Sequence, residues 1–391
     1  MTGALVPDAA GRSATPTPRP SAPRPSALRA PRAPAALDVL ALVTDAYGAR
    51  GGIGLYTRDL LDALAQSGHT ARVLPRNVTG PLEAVPPTVA FDVRSAAGPG
   101  AFVRRALAQV ATRPDVLLCG HLNLLPLAAL LARATGARLL LGIYGIDAWT
   151  PSARRGVGRA LRHVDAVYSI SAFTQERFAA WAPVAQAFLL PNAIHLDRYA
   201  AGPKSDALLD RYGLRGRRVL MTTGRMSATE RYKGFDETLA ALARLLPEHP
   251  DLAYVAVGEG DDRARLEGVA ARLGVADRVV FTGYVDEAEK ADHFRLADAY
   301  VMPSDGEGFG FVFLEALACG VPCVGSDTDG GREALRLGEL GRLVRPDDAP
   351  ALDAAILDAL AAPRGVPPGL DFFAFPHFAA RADAMLRQVA R

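Results

Sequence analysis

From Asp38 onward the chain repeats one unit, in which a short run of Val and Leu is followed by a helix-length amphipathic stretch and then by another apolar run. DVLALVT leads into IGLYTRDLLDALAQSG and then ARVL. Few folds accept this rhythm. An apolar run of this length is buried on both faces only when helices cover both sides of a sheet, and helix-length connections join strands that run parallel. PDVLLCG, ARLLLGIYG, DAVYSIS and AFLLP continue the series, with helices predicted near 124–134, 152–163 and 172–182. The pattern pauses at PNAIHLDRYAAGPKS, whose Pro, Gly and polar residues read as a connector. RRVLMTTG then opens a second series: FDETLAALARLL, LAYVAVG, RARLEGVAARLG, RVVFTG, a helix near 286–297, DAYVMP, a helix near 310–319, VPCVGS and GRLVRP. The prediction is α/β, with two doubly wound domains over 38–197 and 198–371. A terminal helix over 372–391 has no strand after it and is expected to pack back on the first domain.

Length and composition agree with two domains and exclude a single small binding module, since 391 residues exceed one ordinary domain. Half the residues are hydrophobic and 22% are charged, enough for two cores and against wholesale disorder. Much of the proline lies in residues 1–37, a Pro/Ala/Arg-rich stretch expected to be an unfolded tail. That stretch lacks the apolar segment of a secretory signal, and no apolar run reaches membrane-spanning length, so the expected compartment is the cytoplasm. Cys119, Cys319 and Cys323 lack the second close pair that a four-ligand zinc site needs and read as buried small hydrophobes. The net charge of +2 divides into +4 for 1–37, +4 for 38–197 and −6 for 198–391. Without interleaved aromatics this excess does not describe a nucleic-acid surface, but it suits a basic first domain that meets something anionic.

Ligands of doubly wound sheets bind at the carboxyl ends of the strands, so three turns matter. AYGARGGIGLYT follows the first strand; Gly48, Gly51, Gly52 and Gly54 let backbone approach a ligand, and the next helix offers free N–H groups to a phosphate. A plain strand-to-helix turn is the other reading. TTGRMSATERYKGFDE carries Arg225 and Lys233, two cations that can neutralise a diphosphate or simply be solvated. Lys233 is one of only three lysines. MPSDGEGFGFVFLEALACG places Glu307 on a glycine-rich loop and Glu315 inside a helix beginning near Gly310. The N–H groups of Phe309, Gly310, Phe311 and Val312 would then be free for sugar or phosphate oxygens, and the two acids could accept from different hydroxyls of one ligand. Asp147, at another strand end in GIYGIDAW, is either an acceptor-side carboxylate or a helix N-terminal Asp. Asp327-Thr328-Asp329 has a metal-like spacing but reads as a turn.

EGFGFVFLE, with its glutamates eight apart, resembles the E-x7-E signature of the retaining glycosyltransferases of family 4. GGIG, LLPNAIHLDRY, GRMSATERYKG, and VGEGDDRARLE followed by FTGYVDE fit in the same order across 38–391. The resemblance implies a GT-B architecture with a cleft between two Rossmann-like domains, a C-terminal crossover helix, and the donor held mainly by the second domain. It also implies roles: Arg225 and Lys233 on the diphosphate, Glu307 on the donor sugar, Glu315 on the ribose, Tyr284 and Val285 at the base, and Gly52 at the phosphates from the other side. His121 matches a position where members place a histidine facing the donor sugar, though a lone His at a strand end also serves as structure.

The function expected is retaining transfer of a hexose from a nucleoside diphosphate sugar, such as GDP-mannose or UDP-glucose, to a saccharide or lipid-linked acceptor in cell-surface glycan synthesis. No cofactor and no metal is expected, and no side chain is assigned as covalent nucleophile. A sugar-nucleotide epimerase of the same plan and a non-catalytic sugar-binding protein are the rival readings. A dehydrogenase is disfavoured because GxGxxG with its acidic partner is missing. Arg104, Arg105, Arg154, Arg155, Arg159 and Arg162, on stretches predicted as helix, either offer the first domain a face for anionic membrane at the cytoplasmic side or are ordinary solvated helix faces.

Overall fold

The computed structural model describes residues 36–48 and 51–391. The stretch read as a tail lies outside the described residues except for Ala36 and Leu37, as do Ala49 and Arg50 of the first glycine-rich turn. The first sheet contains β1 (Asp38–Val43), β2 (Thr70–Pro75), β3 (Val89–Phe91), β4 (Val116–Cys119), β5 (Arg138–Ile143), β6 (Ala166–Ser169) and β7 (Ala187–Leu189). Their spatial order is β3-β2-β1-β4-β5-β6-β7, and every pair is parallel. The second sheet contains β8 (Arg218–Thr223), β9 (Leu252–Val257), β10 (Val279–Gly283), β11 (Ala299–Val301), β12 (Cys323–Ser326) and β13 (Arg342–Val344), in the order β10-β9-β8-β11-β12-β13. Each order reverses direction once, between β1 and β4 and between β8 and β11, and a crevice opens at the carboxyl ends of the strands at such a reversal.

Burial explains why the strands read as unbroken apolar runs. In β1, Val39, Ala41 and Val43 pack into one core and Leu40 and Leu42 into another on the opposite face. All six residues of β9 are buried. Each fully buried Val or Leu contributes roughly 1.5–3 kcal/mol of transfer free energy, which strands covered on one side only would forfeit at every second position. Cys119, Cys319 and Cys323 are buried free thiols within these cores.

Two expectations change. The helix predicted near 152–163 shrinks to Val157–Ala160 plus a 3₁₀ turn over Leu161–His163, because Gly156 takes a left-handed conformation and Arg154 and Arg155 lie in the bend before it. β3 was not predicted. At the other end of the chain, the helix Phe375–Val389 lies along Gly52–Gln66, with Phe378 edge-on to Tyr56 and Asp383 accepting from His69 Nε2 at 2.7 Å. Ile194 of the connector exchanges backbone bonds with Phe373 and Phe375. Among the described residues no helix is long and apolar enough to cross a membrane.

Candidate active site

The loop after β8 and the loop after β9 are stitched together before they reach any ligand. Met226 N–H donates to Glu259 C=O and Asp262 N–H to Met226 C=O. A Cβ on Gly258 or Gly260 would lie 2.0 Å from the carbonyl oxygens of Gly224 or Met226, and both glycines have positive φ, so only glycine permits this contact. On this base Arg225 pairs with Glu230 of its own loop, and the Lys233 ammonium donates to Glu307 Oε1. Burial works against the charge on Lys233, but the facing Glu307 carboxylate, together with Tyr232 and Asp329, holds the ammonium's pKa above its usual value.

Glu307 is placed by a residue that the sequence reading took for part of a turn. Asp329 is buried: Oδ2 accepts from Glu307 N–H and from the Ser304 hydroxyl, and Oδ1 from Gly331 N–H, each at 2.8 Å. Asp327, its neighbour in the D-x-D spacing, is exposed, so the two carboxylates have different surroundings and do different jobs. Burial pushes the Asp329 carboxyl up to about 6, against the pull of its three donors. Asp329→Asn should therefore be costly, because either orientation of the amide turns an N–H toward a backbone N–H. The expected loss is about 1–3 kcal/mol at neutral pH by thermal denaturation. A folded-state pKa raised above the unfolded value of 3.8 stabilises at low pH and loses that contribution as pH rises through about 6. The wild type should therefore gain on the Asn variant as pH falls from about 6 to 4; a gap that narrows over that range would refute the assignment.

The helix Phe311–Ala318 starts after Gly310, and Phe313 N–H makes its first bond, to Gly310 C=O, leaving the N–H groups of Phe309 to Val312 without an intrahelical acceptor. The helix is buried on every side, so Glu315 is a carboxylate among Val312, Phe313, Leu314, Ala316 and Leu317. Burial raises its pKa, and Lys290 opposes the shift. Gly52 comes from the other lobe, close enough that a Cβ would lie 3.1 Å from the Phe311 ring. Gly308 faces the backbone at the end of β5, where a Cβ would fall 2.1 Å from Tyr144 O. Farther along the same seam the Glu333 carboxylate accepts from Ala172 N–H and Phe173 N–H, both at 2.7 Å, across the two lobes.

A cavity of about 310 Å³ at this seam brings together Gly52, Asp147, Arg225, Lys233, Glu307, Phe309, Gly310 and Phe311. Glu315 lines a smaller neighbouring cavity that shares Gly52, Asn192 and Phe311 with it. His121 stands one step back: Nδ1 accepts from Asn123 N–H, so the neutral ring carries its proton on Nε2, 3.9 Å from Asp147 Oδ2. Burial raises the Asp147 pKa, with His121 pulling the other way. Val312 is buried behind the helix start; Tyr284, which is exposed, and Val285 lie on the loop before the helix Glu287–Leu296, and none of the three lines either cavity. Asn192 and Tyr199, which line the smaller cavity, and Lys290, which donates to Glu315, were not singled out from sequence, although the first two sit in the quoted segment LLPNAIHLDRY. Among the described residues, the buried carboxyl or carboxamide oxygens without a hydrogen-bond partner are Asp147 Oδ2, Asn192 Oδ1 and Glu315 Oε2. All three belong to these two cavities.

Residues 50–198 match the model for Glycosyltransferase Family 4, and residues 217–362 the model for Glycosyl transferases group 1; together these cover about three quarters of the chain. The chain is similar to a GDP-mannose-dependent alpha-(1-6)-phosphatidylinositol monomannoside mannosyltransferase of Mycolicibacterium smegmatis, 37% identical over 61% of this chain and 66% of that protein. A phosphatidyl-myo-inositol mannosyltransferase of Mycobacterium tuberculosis is 43% identical over 43% of this chain and 42% of its own length. The chain thus spans just under two thirds of the first relative and less than half of the second. Among solved structures, Anabaena HepE in complex with UDP-glucose superposes with a TM-score of 0.70 at 19% identity, over 90% of this chain and all of that one. The lipopolysaccharide outer core galactosyltransferase WaaB superposes at 0.66 with 16% identity, over 90% of this chain and 99% of the other.

Proposed function

The chain belongs to the group 1 glycosyltransferases of family 4 and folds as GT-B, and on that premise we propose that it transfers a hexose, with retention of configuration, from a nucleoside diphosphate sugar to a saccharide or lipid-linked acceptor. The observation that carries this reading is the composition of the cleft: a charged lysine and a helix start, which suit phosphate, beside three acceptor oxygens without a hydrogen-bond partner, which suit hydroxyls. GDP-mannose is the donor placed first, because the relatives quoted include an enzyme named for it.

Departure of the nucleoside diphosphate leaves negative charge on the β-phosphate. Arg225, Lys233 and the free N–H groups at the start of the helix Phe311–Ala318 would stabilise that charge as it develops. Lys233 meets the phosphate by turning from Glu307, which frees the carboxylate to accept from a sugar hydroxyl. The acceptor enters on the face that the leaving group vacates, where Asp147, backed by His121, offers an oxygen to its hydroxyl. Tyr284 and Val285 are assigned to the base and Glu315 to the ribose. The chemistry draws its positive charge from the protein and needs no metal.

The deciding assay is GDP release from GDP-mannose with and without a phosphatidylinositol-type glycolipid or a free saccharide. Release should require acceptor and persist in EDTA, and the product anomer should match the donor's. Acceptor-independent conversion of the sugar nucleotide would select the epimerase, and loss in EDTA restored by magnesium would overturn the metal-free reading.

A membrane-resident acceptor also has structural support. Arg104, Arg154, Arg155, Arg159 and Arg162 are exposed, whereas Arg105 is engaged by Asp92. Phe102, Val103 and Leu127 line an apolar cavity of about 360 Å³ whose polar residues include Arg76 and Arg154. Each arginine held near an anionic surface is worth about 1 kcal/mol. Co-sedimentation with phosphatidylglycerol vesicles at low salt is expected, and should disappear at high salt and when the exposed arginines become Gln. No binding at low salt would leave a water-soluble acceptor.

A further inference from the structure

Glu315 is held by one oxygen only. Oε1 accepts from the Tyr199 hydroxyl at 2.7 Å and from the Lys290 ammonium at 2.8 Å, while Oε2 is buried without a partner. The two donors arrive from different parts of the chain, Tyr199 from the connector ahead of β8 and Lys290 from the helix Glu287–Leu296, so their convergence is not the by-product of a single element. Both also reach Glu287, the phenol at 2.8 Å and the ammonium at 3.4 Å. A phenol has one proton and cannot serve two carboxylates at once. The phenol therefore serves Oε1 of either Glu315 or Glu287, Lys290 holds Oε1 of Glu315 in both cases, and neither donor reaches Oε2. The cavity beside it, lined by Glu315, Tyr199, Glu287, Gly52 and Phe311 among others, is about 40 Å³, room for a hydroxyl or a water molecule.

We propose that Tyr199 and Lys290 are positioning residues that clamp Oε1 of Glu315 so that Oε2 faces a ribose hydroxyl of the donor, and that this clamp sets the preference for ribose over deoxyribose nucleotides. The proposal rests on the donor-site reading above. A carboxylate with one oxygen fixed and the other desolvated discriminates strongly, because a ligand without the hydroxyl leaves that oxygen buried and unpaired. Released from the clamp, the carboxyl group can rotate and satisfy Oε2 within the protein, and the hydroxyl then counts for less.

The test compares the full chain with its Tyr199→Phe, Lys290→Met, Lys290→Arg and Glu315→Gln variants, by calorimetric titration with GDP and with 2′-deoxy- and 3′-deoxy-GDP. The wild type should favour GDP over at least one deoxy form by about tenfold or more. Tyr199→Phe and Lys290→Met should weaken GDP by about that factor, leave the deoxy form unchanged, and so erase the preference; Lys290→Arg should restore most of it. Equal weakening of both nucleotides, or no change in the ratio, overturns the clamp, since a merely structural role would not distinguish them. Should Glu315→Gln lose the preference while Tyr199→Phe and Lys290→Met keep it, the clamp alone fails. Should Glu315→Gln keep it, the ribose assignment fails and takes the clamp with it.

Discussion

Lys233→Ala should lower kcat/KM by about 10²–10³-fold, the scale for removing one preorganised charge contact from a developing oxyanion. It should also cost stability, because Glu307 is buried and the substitution strips it of its ammonium. The two effects separate in the double variant Lys233→Ala with Glu307→Gln. Its melting temperature should recover, since a neutral amide tolerates the site better than a lone carboxylate, while its activity should not. Initial rates alongside thermal denaturation decide the matter. Wild-type turnover in Lys233→Ala would remove the diphosphate assignment, and recovered activity in the double variant would show that the lysine only neutralises Glu307.

Gly308→Ala should be nearly as damaging for a different reason. The added methyl would lie 2.1 Å from Tyr144 O and 3.1 Å from Gly145 Cα, backbone atoms that no rotamer change can move aside. The loop bearing Glu307 and the end of β5 would have to part by about an ångström, and misplacement on that scale costs on the order of 10²-fold in rate. On the proposed donor site, which draws mainly on the second lobe, GDP binding should fall far less. Gly100→Ala is the control: its methyl would meet nothing within 4 Å. Comparable rate losses in the two variants would mean that contact across the seam is not what the glycine at 308 protects.

What the sequence disclosed and what it withheld follow one physical line. The βαβ rhythm was legible because each strand is buried on both faces and therefore carries an unbroken apolar run, β9 being the extreme case. β3 escaped because it has three residues at the sheet edge directly after Pro86, Pro87 and Thr88. The donor-side candidates were legible as residue types in strand-end loops, but their pairing was not: Lys233 and Glu307 are 74 residues apart, and only the spatial neighbourhood of β8 and β11 brings them into contact. Asp329 was hidden by its local signal, since Asp-Thr-Asp before two glycines looks like a turn whether its carboxylate faces water or pins a loop. Glu333 offered no local signal at all, because its acceptors' partners are backbone N–H groups of the other lobe.

The C-terminal helix also sets a timetable for biosynthesis. Tyr56, Leu60, Ala63 and Leu64 of the first lobe share a core with Phe378, Ala382, Met385 and Leu386. On the ribosome the former emerge some 320 residues ahead of the latter. At about 5–20 residues per second the early helix would wait roughly 15–65 s with an apolar face uncovered. That interval makes the half-made chain a client for chaperones, and it means that a frameshift within the codons for Phe375–Val389 would do its damage in the first domain.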